Sequence, residues 1–202
     1  MKKMLTVLAA VAFLATAAFA QEAGSAPASN GGSQFQIAPE FGISYWIADD
    51  PYDDMGLGFP AITVKALYNL NNVQIAGGPL AVGAWVGYIH DYSDEVSMYG
   101  FDQEVSIYTI PLVVMGELRL MDGRLLLDAG LGFALLCASV EMDIPGYGSR
   151  DDSSSDTKLA LLLRAGYDIV QAGPGVVQAS GGLFFVDDAS KLMLQVGYNF
   201  AL

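Results

Sequence analysis

The feature that most constrains this chain is an alternation of apolar with polar or small residues at every second position, renewed along most of its length. From Gln34 to Ala48 the odd positions hold Phe35, Ile37, Pro39, Phe41, Ile43, Tyr45 and Ile47, and the even ones Gln36, Ala38, Glu40, Gly42, Ser44 and Trp46. Successive side chains of a strand point to opposite faces, so the pattern makes a strand with one apolar face. The same test succeeds at Ile62–Leu70, Leu80–Tyr88, Val105–Leu120, Leu125–Leu135, Leu159–Ile169, Val177–Phe185 and Lys191–Leu202, which predicts eight strands. Composition sharpens the problem, because the chain is 53% hydrophobic. Yet beyond residue 20 no charge-free apolar stretch reaches the roughly 18 residues a membrane helix needs. The nearest rival, Leu125 to Val140, contains Asp128, Gly130 and Gly132.

The breaks between strands alternate in kind. Those around Asn71-Asn72, Met121-Asp122-Gly123 and Ala172-Gly173-Pro174 are short and turn-like, whereas Asp49 to Gly58, Asp91 to Gln103 and Met142 to Thr157 read as longer polar loops. The last break, Asp187 to Ser190, is short. Several runs span about ten residues or more, the length a tilted strand needs to cross a bilayer. In hydrocarbon every backbone N–H and C=O must be paired internally, so a β protein spans only as a closed barrel. The expected fold is therefore all-β, an eight-stranded antiparallel up-and-down transmembrane β-barrel, with a soluble β sandwich as the weaker reading. The apolar faces would meet lipid, and Tyr45, Tyr88, Tyr167, Tyr198 and Phe200 near strand ends would form interface girdles. The opposite faces would turn Glu40, Lys65, Glu117, Arg119, Asp128, Arg164 and Asp168 into the interior. Eight strands leave room only for side chains. These charges should then form a paired plug, because unpaired buried charges are costly.

Lys2 and Lys3 precede the apolar run Met4 to Ala17, which ends in Ala18-Phe19-Ala20. That order is the signature of a secretory signal peptide, predicted over residues 1–20 with cleavage before Gln21. Residues 21–33, rich in Gly, Ala and Ser, read as a flexible periplasmic lead-in, and residues 34–202 as the barrel. Loss of the two lysines would leave 22 acids against 7 bases. With the lead-in on the periplasmic side, the first, third, fifth and seventh breaks face outward. They hold fourteen acids (Asp49, Asp50, Asp53, Asp54, Asp91, Asp94, Glu95, Asp102, Asp143, Asp151, Asp152, Asp156, Asp187 and Asp188) against Arg150 alone. Such loops argue against a nucleic-acid partner.

At the C-terminal end, Gln195, Gly197, Phe200 and Leu202 resemble the closing-strand signal of bacterial outer-membrane proteins, with Leu202 where Phe is usual. With the eight strands and the signal peptide, the chain resembles the small eight-stranded outer-membrane barrels of the OmpA/OmpX type, and Thr109-Ile110-Pro111-Leu112 resembles a segment common in them. The resemblance implies a Gram-negative cell outer membrane, insertion by the outer-membrane assembly machinery through the last strand, contact with lipid and lipopolysaccharide, and a monomer. No peptidoglycan-binding domain is expected after the barrel, so that second role of OmpA is not carried over. A shared fold leaves the function open.

The site chemistry is sparse. Cys137 is the single cysteine, on the outward parity of its strand, which excludes an internal disulfide and a thiolate metal cluster. His90 is the single histidine, and its outward parity favours an interface residue beside Tyr88 and Tyr92 over a catalytic group with Asp91 and Ser93. The acidic runs at 49–54 and 151–156 lack the spacing of a calcium loop, so solvated loops are favoured over divalent-cation binding. Trp46 and Trp85 take the inward parity and read as packing within the barrel. Pro39 and Pro111 stand inside proposed strands, where a bulge would accommodate each. No catalytic, cofactor or metal site is expected. The favoured role is structural, with surface contact or adhesion to host or other surface ligands through acidic loops; the alternatives are a narrow pore or lateral channel for small solutes, and a lipid A-modifying enzyme.

Overall fold

A computed structural model describes residues 34–47, 56–98, 101–121, 123–144, 148–187 and 190–202. The predicted signal peptide and lead-in lie outside the described residues, as do Asp49, Asp50, Asp53, Asp54 and Asp188. Eight strands follow one another: β1 Phe35–Trp46, β2 Leu57–Ile75, β3 Gly78–Met98, β4 Phe101–Leu120, β5 Leu125–Ile144, β6 Gly148–Ala172, β7 Gly175–Val186 and β8 Lys191–Ala201. Each pairs antiparallel with the next, and β1 pairs with β8, so the sheet closes into an up-and-down barrel.

The faces sort by parity as alternation demands. Outward side chains such as Phe41, Leu112, Val114, Leu131, Phe133, Leu194 and Val196 are exposed and apolar. Their inward neighbours, among them Glu40, Lys65, Glu117, Asp128 and Arg164, are buried. A soluble sandwich would show the reverse, with charges in water and apolar side chains within. A closed barrel with an apolar exterior and a charged interior is a transmembrane one.

Several strand limits differ from expectation. Asn71-Asn72 is no turn: β2 continues to Ile75, with a register shift between Leu70 and Gln74, and the reversal falls at Ala76-Gly77, both with positive φ (51° and 82°). The polar segments 91–103 and 142–157 are mostly strand rather than loop, because β3 runs to Met98, β4 starts at Phe101, β5 ends at Ile144 and β6 starts at Gly148. Cross-strand pairing with neighbours overrides the weak strand preference of Ser and Asp there.

Neither Pro39 nor Pro111 sits on a bulge. Pro39 pairs with Val64 and Pro111 with Ala134 in unbroken register. On the other side, the pairing between β1 and β8 lapses from Ile37 to Glu40 and resumes in the same register, and that between β3 and β4 lapses from Leu112 to Thr109. A missing N–H removes a bond toward one neighbour only, and the ladder to the other neighbour carries the strand.

Candidate functional site

Two regions hold the chemistry: the filled lumen, and a sheet formed where the four longest strands outrun the rest. In the lumen, Arg164 of β6 is the hub. Its Nη1 donates to Glu40 Oε2 at 2.7 Å and to Gln195 Oε1 at 3.0 Å, and its Nη2 donates to Asp128 Oδ2 at 2.8 Å. The guanidinium lies over the Trp85 ring, 5.3 Å from the centroid, and the Trp85 indole N–H donates to Glu40 Oε2 at 3.1 Å. Lys65 joins Glu117 in a close ion pair and lies 3.5 Å from Asp128. Arg119 spans Glu117 at 2.8 Å and Asp168 at 3.4 Å, and also donates to Gln36. All seven charges expected inside thus meet in one network, five buried and the Arg119–Asp168 pair half-buried toward the β4–β5 turn.

A second interior pair stands outside the seven expected charges. Asp91, counted among the outer-loop acids, is fully buried, and Lys191 Nζ donates to it at 2.7 Å. Thr109 Oγ1 also donates to Asp91, at 2.6 Å, and Lys191 lies over the Trp46 ring at 4.9 Å. The signal was present, since Asp91 continues the inward series Ala81, Trp85, Ile89, and Lys191 opposes the apolar face of its strand. Trp85, Val113, Leu162, Phe184 and Met193, from five different strands, pack between the charges as part of one apolar cluster. Trp46 and Trp85 are both buried within the barrel.

In the closing strand, Gln195 is buried and its Nε2 donates to Thr63 at 2.9 Å. Gly197 pairs with Glu40 on one side and Gln178 on the other, Phe200 packs edge-on against Tyr198, and the Leu202 N–H donates to Phe35 O at 2.9 Å. His90 stacks on Tyr88, which meets Tyr108 at 5.3 Å between centroids, so these three form an aromatic patch on the outward face. Cys137 pairs with Tyr108 across β4 and β5 and is buried despite its outward parity. Among the described residues no group of three or more His, Cys, Asp or Glu is placed to hold a metal ion.

The projecting sheet comes from strand length. β1, β7 and β8 have 12, 12 and 11 residues, but β3 to β6 have 21, 20, 20 and 25. Pairing of β3 with β2 ends at Ile89 and of β6 with β7 at Ala160, whereas β3 to β6 stay paired with one another to Met98, Phe101, Ile144 and Gly148. Along this extension the polarity of the two faces inverts. The outward rows read Ser93, Ser106, Ser139, Ser153 and then, on β4 to β6, Glu104, Glu141, Asp151. The inward rows read Tyr92, Ile107, Ala138, Ser154 and then Asp94, Val105, Val140, Asp152. An apolar exterior belongs to lipid and a polar one to water, so the inversion just past the row His90, Tyr108, Cys137 marks the membrane boundary.

The fold and this boundary define an eight-stranded β-barrel of the bacterial outer membrane. No protein-family model matches the chain, and no curated protein does. Solved structures share its fold. It is similar to Ail, the attachment invasion locus protein of Yersinia pestis, solved in complex with the heparin analogue sucrose octasulfate: 19% identity, 83% of this chain and 99% of that one covered, TM-score 0.51. Similar too is a major outer membrane protein from Thermus thermophilus, with 16% identity, 82% and 99% covered, and TM-score 0.51. Neisserial surface protein A shows 15% identity, 86% and 100% covered, and TM-score 0.50.

Proposed function

We propose that the protein is a sealed, monomeric, non-enzymatic outer-membrane barrel that carries an acidic β-sheet beyond the membrane for contact with other surfaces. The observation behind this reading is the inverted polarity of the extended β3–β6 strands, which builds a water-exposed platform on a membrane anchor. The filled lumen supports the structural part. Charges from β1 to β6 and β8 and the apolar cluster occupy its section, and each cationic centre faces a carboxylate. In planar bilayers the purified protein should give no stable conductance. A large, reproducible open channel would replace the sealed barrel with the pore alternative.

The platform faces the cell exterior if the lead-in is periplasmic. A single cysteine placed at Ser139 should react with a membrane-impermeant maleimide on intact cells, while reaction only after lysis would reverse the orientation. Past the boundary, residues 92–107 and 138–154 hold eight acids and one base, Arg150. Ail was solved with a polysulfated sugar, but the charge of this platform favours a cationic partner and disfavours a polyanion. Gln195, Gly197, Phe200 and Leu202 would serve as the signal read by the assembly machinery.

A further inference from the structure

We infer that the inner face of the projecting sheet is a docking trough for a cationic amphipathic helix. The trough rests on the preceding reading, in which the sheet stands in water outside the bilayer. Across β3, β4, β5 and β6 one register row reads Asp94, Val105, Val140, Asp152. Two apolar side chains form the floor and a carboxylate stands on each rim. Asp94 accepts a hydrogen bond from Tyr92 Oη at 3.0 Å, which orients it on that face, and both rim acids are exposed. On the side nearer the barrel, Ile107 and Ala138 continue the floor. On the side farther out, Met142 extends it, and a cavity of about 410 Å³ runs along Ala138, Val140 and Met142 with Arg150, Asp152 and Ser154 on its β6 side.

The dimensions select the occupant. Neighbouring strands lie about 4.8 Å apart, so the floor is about 5 Å wide between side-chain columns and the rims stand about 14 Å apart. A helix about 10 Å across sets a narrow apolar stripe on the floor and reaches both rims with basic side chains flanking that stripe. The described floor on β5, from Ala138 to Met142, is about 13 Å long and underlies about nine residues of a helix. No described strand of the barrel covers this face, since the pairing of β3 with β2 and of β6 with β7 stops below it. Arg150 at the outer end is the base that lines the trough, which makes that end the least favourable for a lysine.

The test uses the full chain in phosphatidylcholine nanodiscs, with empty nanodiscs as the blank for lipid binding. The probe is a fluorescent 15-residue Leu/Lys peptide of amphipathic order, compared with a scrambled peptide of the same composition and with a Leu/Glu counterpart. Saturable binding of the amphipathic cationic peptide is expected, with weakening of about tenfold in Asp94→Asn/Asp152→Asn, as two exposed ion pairs allow. The outer-face variant Glu104→Gln/Glu141→Gln should change affinity less than about twofold. Equal binding of the scrambled peptide, or equal loss in the rim and outer-face variants, would show bulk electrostatics and overturn the trough. Concentration-dependent dimers that Val140→Asp dissolves, without peptide binding, would assign the face to a second copy and also overturn it. Surface labelling at residue 139 separates the two failures: a labelled sheet that binds no peptide refutes the trough alone. Retained heat-modifiable gel mobility certifies that each variant is folded.

Discussion

Replacing Arg164 with Met tests whether the lumen is held by its charge network. The side chain is buried, and in its absence Glu40 keeps only the Thr63 and Trp85 hydrogen bonds while Asp128 keeps Lys65 at 3.5 Å. The interior network then holds Glu40, Glu117, Asp128 and Asp168 against Lys65 and Arg119. Removing one partner of a buried pair costs about 3–5 kcal/mol, because the other charge stays behind without compensation. With a urea dependence of about 2 kcal/mol per molar, the unfolding midpoint falls by roughly 1.5–2.5 M. The assay is urea unfolding in lipid vesicles, followed by gel mobility and by the fluorescence of Trp85, which lies directly beneath the lost guanidinium. Neutralising the stranded acids as well, in Arg164→Met/Glu40→Gln/Asp128→Asn, should recover more than half of the loss. A shift below about 0.5 M for the single variant, or a triple variant less stable than the single one, would refute the reasoning.

The Asp91–Lys191 pair obeys the same rule on a smaller scale. Lys191→Met should cost about 3 kcal/mol, and Lys191→Met/Asp91→Asn clearly less, measured in the same unfolding assay. The carboxylate row on the outer face places Glu104 and Glu141 directly opposite each other. Like charges in that position destabilise a sheet by about 0.2–1 kcal/mol, so Glu141→Gln, or higher salt, should increase amide-exchange protection in the outer halves of β4 and β5. Unchanged protection would mean that the row is already neutralised. If the closing strand carries the assembly signal, Phe200→Asp should lower the heat-modifiable fraction in cells while leaving the purified protein able to refold in detergent.

The barrel is legible in the sequence because its cause is periodic. A face that meets lipid must be apolar at every second residue, and Phe35 to Ile47 or Leu125 to Leu135 show this without any tertiary information. The inward charges follow from the same parity. Less legible are positions where a local cue speaks against the ladder. Asn71-Asn72 looks like a turn, but β2 carries on past the shift at Leu70/Gln74 to a reversal at Ala76-Gly77, where both residues take positive φ. Asp91 looks like the first residue of a loop because Asp, Tyr and Ser follow one another there. Parity carries Asp91 inward, but its partner Lys191, one hundred residues away in sequence, is a contact that no local pattern reveals. The extension of β6 through Ser153-Ser154-Ser155 is hidden for the same reason, since its strand character comes from β5 alongside it.

The height of the polarity inversion ties these pieces together. On β5 the outward series from Leu125 to Cys137 covers 13 residues, about 40 Å along the strand. At the tilt of about 45° usual for such barrels this is a height of about 28 Å, close to the roughly 25 Å apolar band of outer-membrane barrels. The next outward residue, Ser139, begins the serine row, and Glu141 the carboxylate row above it. Beyond that band water competes for the outer face, so charge there costs little, and the inner face no longer has a lumen to fill. The same two-residue period therefore produces opposite chemistry on the two sides of one boundary. Below it the barrel hides ion pairs behind an apolar wall; above it the sheet hides an apolar floor behind a wall of carboxylates. On the proposed reading the upper half is a recognition surface rather than an oversized loop, because an apolar face held open above the membrane gains from a partner that covers it.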